Sequence, residues 1–464
     1  WTLVSDSTIA IFFGLIVGGI LRAANYDLDF DEKFFFNVLL PPIIFCAGYS
    51  LKRKNFFRNL STILMYAYLG TLLSTFVVGF GVQILDWGGV VSLSAFECYL
   101  FGALISAIDP IATLVTFAKL RAPKSLYNLV FGESVLNDAV AVVIFETLLE
   151  LAEDSGGGLT VARGFKALGI FIGVSIGSTV IGVAVGLFGA AIVKAKLSSH
   201  PRLELPFLLL TAYCSYQVAH VSQLSGIMSI FFCGITSAHY TLHNFSDEIR
   251  VASVSFFETI SFLAELTVFA YMGVAMVAGH ASSWNWGFTL LSLLFCLIAR
   301  ALNIFPLTAI ANSRRRVKIS FSEQFVMWFS GLRGAIAVAL AFALPKPGKN
   351  DRLPHTDVLV GATLFIAVIT TTVLGGLTGP LLRRLKLQTG LSGVLDTEKA
   401  AVTPSTEKPY SSGGLHGRWK EFDNKHMKKL FGGNVHKNDV PGNVELAVRP
   451  EVAGVAGVTE DDSL

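Results

Sequence analysis

Eight ionisable side chains interrupt stretches that are otherwise apolar: Asp6, Asp109, Glu133, Asp138, Glu258, Glu265, Arg300 and Arg333. A charge at membrane depth is costly unless it is paired or hydrated, so each such residue marks a pathway or a partner. Asp6, Glu258 and Arg300 read as close enough to the ends of their runs to reach an interface, whereas Asp109, Glu133, Asp138, Glu265 and Arg333 do not. Asp109 is followed by Pro110 in Ser106-Ala107-Ile108-Asp109-Pro110. Proline removes a backbone donor and clashes with the preceding turn, so a helix must break or kink there. Gly331-Leu332-Arg333-Gly334 is a comparable interruption in the second half of the chain. Broken helices free backbone groups and dipole ends at mid-depth, where they can hold an ion.

The run Phe131-Gly132-Glu133-Ser134-Val135-Leu136-Asn137-Asp138-Ala139-Val140 carries two carboxylates on one helix. Glu133 and Asn137 are i and i+4, as are Ser134 and Asp138. Asp138 lies about 140° around the helix from Glu133, so the two acids face different neighbours. That arrangement suits a division of labour, with one acid paired permanently to a cation such as Arg333 and the other left free. A lone buried Arg or Glu would be costly. Asp138 is the candidate ion-binding group. Asn137, Ser134, Thr113 and the carbonyls freed at Asp109-Pro110 surround it with oxygen, which suits a hard monovalent cation rather than a transition metal. In a partly hydrated cavity, proton and cation would then compete for one carboxylate.

The elements that hold these residues are membrane spans. The chain has 464 residues, 53% hydrophobic and only 15% charged, with a mean hydropathy of +0.61. Its apolar residues fall in repeated runs long enough to cross a bilayer as helices. Twelve spans are read, near 5–23, 34–51, 62–86, 96–118, 124–152, 165–194, 205–221, 224–240, 254–279, 284–311, 321–344 and 356–385. Eighteen Lys and Arg lie in one set of alternate loops and seven in the other, which puts both ends of the chain in the cytoplasm. The fold class is therefore an all-α polytopic membrane protein, with residues 1–386 as the membrane domain and 387–464 as a cytoplasmic tail.

Other classes are excluded. The net charge of +3 is scattered through short loops, so nucleic acid is not an expected partner. The five cysteines are single and far apart, giving neither a disulfide framework nor a zinc site. No HExxH, GxSxG or phosphate-binding glycine loop supports an enzyme, and no cofactor is expected. The tail reads as mostly disordered. Its stretch 418–431, Arg418-Trp419-Lys420-Glu421-Phe422-Asp423-Asn424-Lys425-His426-Met427-Lys428-Lys429-Leu430-Phe431, is basic and amphipathic. It reads equally as an interfacial helix or as a short solvated one. His239 and His243 lie at a helix end, where a solvated histidine is the plainer reading and a pH sensor the sharper one.

These residues resemble the eukaryotic sodium(potassium)/proton exchanger family, within the monovalent cation:proton antiporters. The motifs are Val38-Leu39-Leu40-Pro41-Pro42-Ile43-Ile44-Phe45 with Ala47-Gly48-Tyr49; Ser106 to Pro110; Phe131 to Val140; and Gly331-Leu332-Arg333-Gly334-Ala335-Ile336-Ala337. The resemblance implies an inverted-repeat fold with two broken crossing helices, thirteen spans and a homodimer. Twelve spans are read here and the chain begins at Trp1, so an N-terminal helix is expected to be missing. The resemblance further implies that Asp138 binds ion and proton beside Asn137, that Asp109 lies at the crossing, and that Glu133 pairs with Arg333. Glu265 matches another acidic family position, with Glu265 and Arg300 as accessory groups. Cys46 stands where relatives often carry an acid or His. Cys233-Gly234-Ile235-Thr236, and Phe422-Asp423-Asn424-Lys425 in the tail, are similar to the organellar, endosomal and Golgi branch.

The expected function is electroneutral Na+/H+ or K+/H+ antiport by alternating access, the Asn137-Asp138 pair going with one-for-one exchange in that family. The alternative is a cation channel lined by Asp109 and Asp138. Expected partners are membrane lipids, a second copy of the chain, and regulatory proteins or anionic lipid at the tail.

Overall fold

The computed structural model describes residues 5–24, 32–51, 53–153, 161–197, 200–278, 284–315, 317–345, 353–387 and 422–432. Among the described residues the regular structure is helical, with no strand. In chain order the helices are α1 (Asp6–Ala23), α2 (32–49), α3 (53–87), α4 in two halves (α4a, Ala95–Ser106; α4b, Ile111–Lys119), α5 (Lys124–Glu153) and α6 (161–197). They continue as α7 (Pro201–Val221), α8 (226–244), α9 (Asp247–Ala278), α10 (Trp286–Arg314), α11 in two halves (α11a, Phe321–Phe329; α11b, Ala335–Phe342), α12 (Thr356–Arg384) and α13 (423–431).

The rods α1 to α12 lie in the order of the twelve expected spans. By length and composition, six are each long and apolar enough to cross a membrane: α1, α3, α6, α9, α10 and α12. The first half of α4 and the 35–49 part of α2 are apolar but shorter.

Both broken helices start with the same device. Ser94 accepts from the Glu97 backbone while the Glu97 carboxylate accepts from Ser94, and Ser320 and Glu323 do likewise. Each capping box satisfies two donors that a helix start leaves bare. The breaks then fall where Pro110 and Gly331–Gly334 predict, at 107–110 and 330–334.

The rods form two bundles. One contains α3, α4, α5, α10, α11 and α12; the other contains α1, α2, α6, α7 and α8, with α9 packed on α1 and α2 and also touching α11b and α12. Transmembrane helices gain little from apolar burial and depend on close packing through small residues. The crossing of α1 and α9 shows this, since a Cβ on Gly14 would lie 1.9 Å from the Ala270 carbonyl oxygen and one on Gly273 would lie 2.3 Å from that of Ile11. Outward faces stay apolar, with Phe13 and Ile16 of α1 and Phe165 and Ile176 of α6 all exposed.

Candidate functional site: the crossing of two broken helices

At each break the freed backbone groups are taken up by side chains of neighbouring helices. The Ile108 N–H donates to Asn137 Oδ1 (2.9 Å), and Ser134 Oγ donates to the Ile108 carbonyl (3.1 Å). Asn137 and Ser134 of α5 thus cap the break in α4 from both sides. Asn137 Nδ2 in turn donates to Thr71 Oγ1 (2.6 Å) on α3, whose hydroxyl donates to the Ala67 carbonyl. Thr113 Oγ1 donates to the Pro110 carbonyl (2.6 Å). Three of the oxygen-bearing side chains expected around an ion therefore also hold the broken backbone in place.

The two breaks are joined directly. The Asp109 N–H donates to the Leu332 carbonyl (3.0 Å). Arg333 Nη1 donates to the carbonyls of Ser106 (3.1 Å) and Ala107 (3.3 Å), at the C-terminal end of α4a. A cation there complements the negative end of the helix dipole. The Asp109 carboxylate lies against Gly334, at the N-terminal end of α11b, where a Cβ would come 2.1 Å from Oδ2. The crossing is thus charge-complementary, with Arg333 on one C-terminus and Asp109 beside one N-terminus.

Arg333 is held from α12 as well. Its N–H donates to Thr370 Oγ1 (3.0 Å), and Thr371 Oγ1 donates to its carbonyl (3.0 Å). Both threonines lie in a widened, π-type stretch of α12, Thr370–Leu374, and a second one at Met65–Gly70 ends next to Thr71. Such stretches are frequent at functional sites because they turn side chains off the regular helix face.

Asp138 lies beside these groups and is 8% exposed, with its Oδ1 buried and without a hydrogen-bond partner. A buried polar atom left without a partner calls for an explanation. Asp109, Arg333 and Glu265 all lie close enough to act on its charge. Glu265 accepts from Ser261 Oγ (3.3 Å) and lines a cavity of about 60 Å³ with Ser5, Asp6, Ser7 and Val115. That space, between α1, α9 and α4b, has room for a few waters.

Residues 2–384 match the family model described as sodium/hydrogen exchanger, transmembrane. The chain belongs to the sodium/hydrogen exchanger family. It is 37% identical over 424 residues to sodium/hydrogen exchanger 9 of Homo sapiens, covering 87% of this chain and 64% of that protein. It is 35% identical over 437 residues to sodium/hydrogen exchanger 8 of Rattus norvegicus, covering 92% of this chain and 73% of that protein. Over 372 residues it is 39% identical to sodium/hydrogen exchanger 7 of Homo sapiens, with 78% and 50% covered. Among solved structures, the sodium proton antiporter MjNhaP1 from Methanocaldococcus jannaschii superposes with a TM-score of 0.63 at 21% identity, covering 82% of this chain and 92% of that one. The fold is thus the antiporter fold, an all-α membrane architecture with two broken helices.

One expected pairing is corrected. Glu133 does not pair with Arg333; it pairs with Arg300 of α10, through Nη1 to Oε1 and through Nη2 to Oε2 at 3.1 Å. Arg300 Nη2 also donates to the Met327 carbonyl of α11a (2.8 Å). Both side chains are 2% exposed, so the pair is buried within its bundle. Arg333 Nη1 instead donates to the carbonyls of Ser106 and Ala107 that the break in α4 leaves bare.

Sequence reading missed Thr71, Thr370 and Thr371. The signal for the last two was present in the run Thr370-Thr371-Thr372, which is unusual within an apolar span. Cys46 is buried, with its Sγ 3.6 Å from Ser50 Oγ. Among the described residues no group of three or more His, Cys, Asp or Glu is placed to hold a metal ion.

Proposed function

We propose that this exchanger-family chain carries out electroneutral antiport of Na+ or K+ against H+, with Asp138 as the group that binds cation and proton in turn. The observation that carries this reading is the unpartnered carboxylate oxygen of Asp138 beside the crossing of two broken helices. Its neighbours Asn137 and Ser134 hold the break open, and Thr113 and Asp109 add oxygen. Alternating access follows if one bundle, bearing the crossing, moves against the other and exposes Asp138 to each side in turn. Only one mobile carboxylate then changes its load, so one proton exchanges for one cation without net charge movement. Glu265 and the small cavity beside Asp6 serve as an approach from one side.

The same reading gives the chain's setting. The Lys and Arg bias favours a cytoplasmic tail, and the Cys233–Thr236 and Phe422–Lys425 motifs favour endosomal or Golgi membranes over the plasma membrane. The exposed apolar faces of α1 and α6 are left for lipid or for a second copy in a homodimer. Regulatory proteins or anionic lipid would meet the tail.

The test is dissipation of a pH gradient in proteoliposomes on adding Na+, K+ or Li+, with and without clamped voltage. Proton movement that follows cation addition and is indifferent to voltage is expected, and the cation order sets selectivity. Cation current without cation-dependent proton movement would replace antiport by the channel reading.

A further inference from the structure

The part of the tail around α13 makes specific polar contacts that ion binding at Asp138 does not use. Asp423 is only 5% exposed. Tyr240 OH donates to its Oδ1 (2.5 Å), His239 Nε2 lies 3.1 Å from Oδ2, and Lys428 Nζ lies 3.8 Å from the same oxygen. At the other end, Lys194 Nζ of α6 donates to the Lys429 carbonyl (2.6 Å) and Asn244 Nδ2 of α8 to that of Phe431 (2.8 Å). These are carbonyls that a helix end leaves without partners. The Tyr240 and Phe431 rings lie 6.1 Å apart. Gly432 follows at φ +94°, where a Cβ would meet Asn244 Oδ1 at 1.9 Å, so glycine is required for the chain to leave by this route. Residues 422–432 contact α6 and α8 while Phe422 and Leu430 stay exposed, and 418–421 lie outside the described residues.

We propose that α13 is a latch that ties the tail to the α6–α8 bundle with Asp423 as its key, and that protonation of His239 tightens it. A buried carboxylate is tolerated only with donors in place, so the pocket formed by His239 and Tyr240 selects an acid at position 423. Neutral His239 can supply one N–H; the imidazolium adds an opposite charge to Asp423. Lys428 and Tyr240 face the same carboxylate, Lys194 lies at the far end of the latch, and the His426 ring lies tilted against Phe422 at 5.3 Å on the exposed side. His243 and Arg250 belong to the same end of the bundle, Arg250 being paired with Asp247 at 3.0 Å. Acidification on this face therefore favours the docked tail, and raising the pH past the histidine range removes that increment. The His239 side chain is 33% exposed, so the increment is that of a screened pair, roughly two- to fivefold in the docking equilibrium.

The latch also fixes what the tail rides on. Helix α12 belongs to the bundle bearing the crossing, whereas α13 rests on α6 and α8 of the other. The 34 residues from 388 to 421 join the two.

Hydrogen exchange of the full chain in lipid nanodiscs, at about pH 6 and about pH 8 and corrected for intrinsic rates, reads the latch directly. Amides of 424–431 should be protected, roughly two- to fivefold more so at the lower pH. Asp423→Asn should lose that protection while α8 keeps its own, and His239→Gln should keep docking but lose the pH step. Free exchange of 424–431 in the wild type at both pH values overturns the latch, and an unchanged pH step in His239→Gln overturns the role of His239. The readout is amide protection rather than ion flux, so its failure would leave the antiport proposal standing.

Discussion

Glu133 and Asp138 lie five residues apart on α5, and both are nearly excluded from solvent. Their surroundings differ in kind. Both Glu133 oxygens are engaged by the Arg300 guanidinium, which also holds the Met327 carbonyl and so ties α5, α10 and α11a together. Asp138 faces the crossing with one oxygen unpartnered, while its neighbours Asn137 and Ser134 spend their hydrogen bonds on the broken backbone. One acid is saturated by a fixed cation; the other is kept unsaturated by a frame that does not need it. A site meant to load and release an ion has to be of the second kind, since a permanent counter-charge would hold the carboxylate ionised and occupied.

The contrast predicts substitutions that separate the two acids. The largest effect is expected for Asp138→Asn, which should abolish cation-dependent proton flux while size-exclusion profiles and thermal stability stay near wild type. Arg300→Met should do the reverse. It leaves Glu133 charged and unpaired, costing about 3–5 kcal/mol, visible as a marked fall in melting temperature. Combining it with Glu133→Met removes both charges together and should restore most of that stability.

Gly334→Ala tests the crossing itself. The new methyl would meet the Asp109 carboxylate, so Asp109 or the start of α11b must shift, at about 1–3 kcal/mol, with slowed transport. Thr371→Val should have the smallest effect of the set. It removes one donor to the Arg333 carbonyl, worth about 0.5–1.5 kcal/mol, and should lower thermal stability slightly without changing cation preference.

Much of this frame was legible in the residues themselves. Pro110 and the Gly331–Gly334 run announce breaks because proline and glycine act on the backbone locally, wherever the helix packs. The angular separation of Glu133 and Asp138 follows from helix geometry alone and predicts different neighbours for the two acids. Which neighbour each meets was not legible. Arg300 and Arg333 are both buried cations, and periodicity reports the face of a helix without naming the helix opposite. The choice was made by the break in α4, whose bare Ser106 and Ala107 carbonyls claim Arg333 and leave Arg300 for Glu133. The docking of Asp423 was hidden for a similar reason. Its pocket, built from His239 and Tyr240, lies more than 180 residues away in sequence, and neither residue type signals an acid-binding role by itself.

The division of labour on α5 is tested most directly by proton flux in proteoliposomes, driven by Na+ or K+ addition, for Asp138→Asn and for the Glu133→Met/Arg300→Met pair measured side by side. Loss of flux in the first with retention in the second is the predicted result. Flux that survives Asp138→Asn, or that vanishes in a stably folded Glu133→Met/Arg300→Met protein, would contradict the assignment of ion binding to Asp138 and of a structural role to Glu133.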